Sequence, residues 1–323
     1  MIEEITQHLE LIDEGLALDG LPVNDRPFHA AWTFVREFVI EVDTGNGLQI
    51  PGELTEFVSD PWFRYLYTHI EEWYRTRYGT RLDQQTPRTF NGVTLIASTP
   101  FELNVPVSIT YPGVPGETVW LTYPDSVLNE EDVTKWFASL PNMACYSQKT
   151  RQKALQTATD VASKLRAISC RLTGADVSDD VARGFLSGVT VHLESASLLI
   201  LREEQEGSFA RAQWELQMTC ESAYKGLLQQ QTSNFTETHD LFTLHDHALP
   251  YSLSVPRNLL HALPRWREAA DLRYGQGDQP SVIGIFKWYQ TVLTIVAEVL
   301  RNLKRIDLAN TRIEIRKAPW RDV

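Results

Sequence analysis

The sequence predicts a mainly α fold: an antiparallel helical bundle in the C-terminal portion, a helical region at the N-terminus, and a small antiparallel β insertion between them. Three observations predict it. Apolar residues recur at helical spacing over most of the 323 residues. Residues 88–124 instead concentrate β-branched side chains punctuated by Pro and Gly, as in "FELNVPVSITYP" and "ETVWLTYP". From residue 129 onward the helical pattern resumes to the end of the chain, in segments separated by turn-forming breaks.

Taken in order, "AAWTFVREFVIEV" (30–42) places Trp32, Val35, Phe38 and Val39 at helical spacing, and "TGNGLQIPGE" breaks it. The next helix has Ser59 or Asp60 as N-cap, Pro61 in its first turn and Gly79 as its stop. Its aromatics, Trp62, Phe63, Tyr65, Trp73 and Tyr74 among them, read as core or interface, because no basic strand surface accompanies them. Three or four short strands are expected over 88–124, too few to stand without helices packed against them. "NEEDVTKWFASL" reads as a helix opening on an Asn cap and an acidic turn. A stripe of Leu155, Ala158, Val161, Leu165 and Ile168 follows, then a break at "TGADVSDD" and two long helices. The resulting partition is 1–128 for the N-terminal region, 129–180 for connecting helices, 181–312 for the bundle and 313–323 for a basic tail.

Bulk chemistry narrows the function classes. The net charge of −12 opposes non-specific binding to a polyanion. The charge is uneven, since 301–321 carries seven basic residues against Asp307 and Glu314. That segment reads as a solvated helix end complementing the macrodipole, with a phosphate-contacting patch (Arg301, Lys304, Arg305, Arg312) as the alternative. No apolar run approaches the roughly 20 residues of a membrane span, and the acidic, amphipathic "MIEEITQHLELIDEG" is unlike a secretory leader. Cys145, Cys170 and Cys220 lack metal-ligand or redox spacing and read as buried thiols. A cytoplasmic protein without a cofactor is expected.

The densest chemistry lies in "THDLFTLHDHA", 238–248. Thr238 is placed to accept the first free N–H groups of a helix, with Asp240 near its positive end. A metal site from His239, Asp240, His245, Asp246 and His247 is disfavoured, because residues 239 and 245 do not share a helix face and no zinc spacing is present. No phosphate-binding loop, nucleophile elbow or dinucleotide fingerprint occurs.

Around this segment the order of features is informative. Glu221 and Lys225 lie on the preceding helix, Thr238, His239, Asp240 and Leu241 open the next, and Arg273, Tyr274 and Gly275 close a later one before a long apolar helix. This arrangement resembles the HEPN family of helical bundles over about 130 residues. The resemblance implies either a catalytically silent bundle that binds partners or nucleotides, or a metal-independent ribonuclease of the kind resident in toxin–antitoxin and phage-defence systems. Ribonuclease members carry Arg, often a polar residue, then four to six residues and His. The nearest match is Arg257, Asn258 and His261, with a gap of three and a position before the last long helix rather than on it. On a helix Arg257 and His261 would face one way, the first to hold a phosphate and the second to move a proton.

Three functions are therefore expected in competition. The first is a non-enzymatic interaction module with a protein partner or a second copy of itself. The second is a ribonuclease using Arg257, Asn258 and His261, with RNA guided by the basic patch. The third is a nucleotide or small-ligand sensor with Lys225, Arg273 and Tyr274 lining a pocket, unless Arg273 and Glu221 form an internal ion pair. The first is preferred, because the structural positions of the resemblance match better than its catalytic motif.

Overall fold

A computed structural model describes residues 3–43, 48–58, 60–82, 89–115, 117–176, 178–202, 205, 207–251, 253–273 and 280–316. The chain is mainly helical with small antiparallel sheets. It forms two compact units, one of Met1–Thr86, Val114–Thr118 and Arg316–Val323, the other of Pro87–Gly113 and Val119–Ile315.

The first unit contains α1 (Glu3–Leu18), α2 (Arg26–Phe38), a short pair β1 (Val42–Asp43) and β2 (Leu48–Gln49), α3 (Leu54–Phe57) and α4 (Pro61–Tyr78). Helix α4 starts and stops where Pro61 and Gly79 predict, and Gly79 adopts φ 56°, the left-handed region that glycine enters without a Cβ clash. Asp60 is the capping residue, but its carboxylate accepts the Trp62 indole N–H at 3.0 Å rather than a helix N–H. Phe34, Phe63, Ile70, Trp73 and Tyr74 form the buried core, so most of the aromatic belt is packing; Tyr65, 70% exposed, is the exception.

The second unit holds β3 (Thr89–Ile96) and β4 (Thr99–Pro106), a register-matched hairpin, then β5 (Ile109–Pro112) and β6 (Thr118–Thr122). Its helices are α5 (Gln148–Thr173), α6 (Asp180–Leu201), α7 (Ser208–Thr232), α8 (Leu241–Ala248), α9 (Arg257–Leu260), α10 (Trp266–Arg273) and α11 (Val282–Arg301). Helix α7 is central, packing on α6, α8, α10 and α11, while α5 packs on α11 and β3. Along α7 seventeen residues are buried, apolar ones such as Ala212, Leu216, Cys220, Ala223 and Leu227 together with polar ones such as Gln213, Gln217, Glu221 and Lys225, as befits a helix enclosed by its neighbours. Gly226 permits the close approach of α6: a Cβ there would stand 2.6 Å from Leu186 Cδ2.

Several expectations change at this level. The predicted single sheet over 88–124 is two. Strands β3 and β4 pair only with each other, whereas β5 and β6 continue to β7 (Arg312–Arg316) in the order β5-β6-β7. The supposed basic tail therefore begins as a strand, and residues 317–323 lie outside the described residues. The hairpin and α5, read as an insertion and a connector, share one core with the bundle: Val93, Leu103 and Val105 bury against Val161, Leu165 and Ile168. The predicted helix at 129–140 is only a 3-10 turn, Val133–Trp136. Its acidic residue Glu131 is drawn instead to Arg166, a fully buried guanidinium bound through both terminal nitrogens, one at 2.7 Å. Phe137 leaves the turn to bridge Leu103 of β4. Cys145 is exposed, while Cys170 and Cys220 are buried. Finally, α6 and α11 are long and apolar enough, by length and composition alone, to cross a membrane. This differs from the expectation that no apolar run approaches the length of a membrane span. Half of the α11 window and a third of the α6 window are buried inside the protein.

Candidate functional site

Glu221 and Lys225 are four residues apart on α7, so they share a face, and that face is buried with 3% and 6% of each residue exposed. Lys225 Nζ donates to Glu221 Oε1 at 2.9 Å, and its ammonium lies 5.9 Å from the Phe185 ring and 5.6 Å from that of Phe235. The chain returns after α7 and delivers His239 to the same carboxylate, with Nδ1 at 3.0 and 3.1 Å from its two oxygens. An ionised carboxylate only accepts, so Nδ1 carries the hydrogen. The imidazole stacks on Trp266 at 4.0 Å and 12°, and Trp214 abuts the same indole at 4.9 Å. Gln217 Nε2 donates to the His239 carbonyl at 3.2 Å. Three residues singled out by the resemblance thus meet in one cluster, Glu221 and Lys225 buried and the His239 side chain half exposed beside them. Sequence reading does not single out Trp266, Trp214 or Gln217: α10 brings Trp266, while Gln217 and Trp214 lie one and two turns before Glu221 on α7, a helical spacing that could have marked them.

The rest of the His/Asp segment divides among separate partners. Asp240, not Thr238, caps α8, accepting from the backbone N–H of Phe242 and Thr243 and from the Thr243 hydroxyl. Thr238 lies two residues upstream and accepts from Asp240 N. His245 is buried, 3.1 Å from the Tyr224 hydroxyl, and burial pushes its pKa below the ordinary histidine value, which keeps it neutral near pH 7. His247 Nδ1 meets Thr236 Oγ1 at 2.6 Å. Asp246 accepts from Arg257 Nη2 at 3.0 Å. Among the described residues no three His, Cys, Asp or Glu side chains gather in a geometry that could hold a metal ion.

Arg257 opens the one-turn helix α9, and His261 follows as its C-cap. Both lean on one ring: the guanidinium carbon stands 5.6 Å from the Phe242 centroid and the imidazole centroid 4.9 Å from it. Arg257, Asn258 and His261 are all exposed. They share a patch, then, but Arg257 is already paired with Asp246.

For the sensor reading, Lys225 is held by Glu221 instead of lining a cavity, Arg273 ends α10 with its side chain outside the described set, and Tyr274 lies outside the described residues. Glu221 takes Lys225 and His239 as partners, and the alternative pair with Arg273 falls on a side chain outside the described residues.

The basic patch is divided as well. Arg301 pairs with Glu298 at 3.2 Å, Arg305 lies 3.9 Å from Asp307, and Lys304 donates to the Gln230 carbonyl at 3.1 Å. Arg312 lies on β7. Arg171, not singled out from sequence, joins Arg301 and Arg305 around a cleft of about 270 Å³ that also contains Asp125 and Asp307. Its guanidinium reaches the Ala297 carbonyl, and burial lowers its pKa. The Cys220 thiol is pushed up by complete burial, which removes it as a nucleophile.

No protein-family profile, no curated protein sequence and no solved structure matches this chain.

Proposed function

We propose that the second unit is a non-catalytic, HEPN-like interaction module that pairs with another copy of the chain through the outer face of α6. The observation that carries this reading is the apolar composition of that face where it meets water. Val181, Val191 and Leu198 are 48%, 60% and 45% exposed, and Gly184 would give a Cβ no neighbour within 4 Å. Gly184, Val191 and Leu198 recur every seven residues, with Val181 one turn before them; Asp180 and Arg183, paired with each other, stand at the start of the row and the half-buried Glu194 at its flank. Such a face is self-complementary: two copies crossing about a two-fold axis bury the same residues on each side, with glycine allowing close backbone approach. The buried cluster supports a structural rather than catalytic role for Glu221, Lys225 and His239, because every charge in it is matched within the chain.

Sedimentation of the full chain tests the proposal. A species of twice the 36.9 kDa chain mass is expected, and V191E/L198E is expected to be monomeric with unchanged helicity. A monomeric parent protein at micromolar concentration would refute it.

One observation favours a second reading, a metal-independent endoribonuclease. Arg257 and His261 are exposed side by side over Phe242, so a phosphate displacing Asp246 would sit next to an imidazole. Total RNA incubated with the protein under chelator would be cleaved on this reading, and His261→Ala would abolish cleavage without lowering the melting temperature. Intact RNA removes it.

A further inference from the structure

A second cavity of the same unit involves none of the residues discussed above. About 430 Å³ in volume, it lies between the tip of the β3–β4 hairpin, the start of α5 and the start of α11. That volume is within the range of small-molecule sites. Its floor is apolar, with Ala154 and Phe286 buried, and Ile283, 46% exposed, stands at its margin. Three ammonium groups surround it: Lys149 and Lys153 from α5 and Lys287 from α11.

The lysines and the hairpin beside them run against what folding alone would select. None makes an ion pair among the described residues, and no carboxylate lines the cavity, although the chain as a whole carries −12. Lys149 is the second residue of α5, and neither α5 nor α11 has an acidic residue in its first turn. A cation in the first turn, as Lys149 is, reverses the arrangement that stabilises a helix. The hairpin beside them turns on Ala97 and Ser98, both with positive φ (49° and 69°), where a two-residue turn ordinarily uses Asn or Gly. Local rules broken together around one cavity mark a place kept for something other than stability.

We infer that this cavity binds a soluble phosphomonoester carrying an apolar body, the phosphate held by Lys149, Lys153 and Lys287 and the body laid on Ala154, Ile283 and Phe286. Three ammoniums suit a group with three acceptor oxygens and a charge near −2. The apolar floor gives no purchase to inorganic phosphate alone.

Calorimetric titration of the full chain with octyl phosphate, below its micelle concentration, tests the inference. Saturable one-to-one binding is expected. K153Q/K287Q should weaken it at least about tenfold, as expected for lost charge-assisted hydrogen bonds. K153R/K287R should retain it, which separates charge from folding. Inorganic phosphate and octyl glucoside, which supply the head and the tail separately, should each bind at least about tenfold more weakly than the intact amphiphile. Unchanged affinity in K153Q/K287Q, or octyl glucoside or inorganic phosphate equalling octyl phosphate, would overturn the assignment. So would capture by phosphatidate vesicles without binding of free octyl phosphate, since that would indicate a membrane surface.

Discussion

Two groups of charged residues in the second unit are arranged in opposite ways. On α7, Glu221 and Lys225 are buried beside Phe185 and Phe235, with the half-exposed His239 stacked on Trp266 reaching the same carboxylate, and each charge has a partner a hydrogen bond away. At the start of α5 and α11, Lys149, Lys153 and Lys287 surround a cavity with no carboxylate near them. The first arrangement cannot be opened without leaving a buried charge unmatched. In the second, the charges are solvated and their removal disturbs nothing inside. The difference teaches where to look for function in a chain rich in polar residues. A charge already matched within the fold reports on stability, and one left unmatched beside a cavity is available to a ligand.

Substitutions can break or sharpen that contrast. The largest effect is expected at Glu221→Ala, which leaves Lys225 buried without a counter-charge and His239 without its acceptor. A loss of about 3–5 kcal/mol in urea unfolding is expected, and a change below 1 kcal/mol would show that the cluster is solvated after all. Next is Gly226→Ala, where the new Cβ meets Leu186 at 2.6 Å in a fully packed helix contact. A cost of about 1–3 kcal/mol is expected from overpacking; a stabilised variant would mean that α6 and α7 can separate freely. Asp240→Ala removes the cap of α8 and should cost about 1 kcal/mol, with increased amide exchange confined to residues near 241–244. The smallest effect belongs to K153Q/K287Q, within about 0.5 kcal/mol per site of the parent. A larger loss there would place those lysines in the same class as Lys225 and erase the comparison.

Legibility follows the same division. Helix α4 was readable to the residue because Pro61 and Gly79 act through their own backbone preferences. Helices α6 and α7 were readable because a continuous apolar pattern needs no knowledge of the partner. The helix at 129–140 was misjudged because Glu131, a good first-turn residue, has a stronger claim on it from Arg166, thirty-five positions away. The cap of α8 was placed two residues early, at Thr238, since both Thr and Asp can accept helix N–H groups and only the backbone path chooses between them. Of the candidate site, Glu221 and Lys225 were legible as a helical pair. Trp266 and the lysine-lined cavity were not, because neither has a signature in local sequence.

By itself, then, the sequence determined what depends on neighbours a few positions apart: the helical character of most segments, their stops, the β-rich interval and the apolar faces. Tertiary structure alone decided the pairing of β6 with β7, the burial of the hairpin on α5, and the joining of His239 to Glu221. It also decided which cations are matched and which make no ion pair among the described residues. The physical reason is one of range. Backbone preference and periodicity are written into each short stretch, whereas hydrogen bonds and ion pairs join groups that only the folded chain brings within about 3 Å of each other.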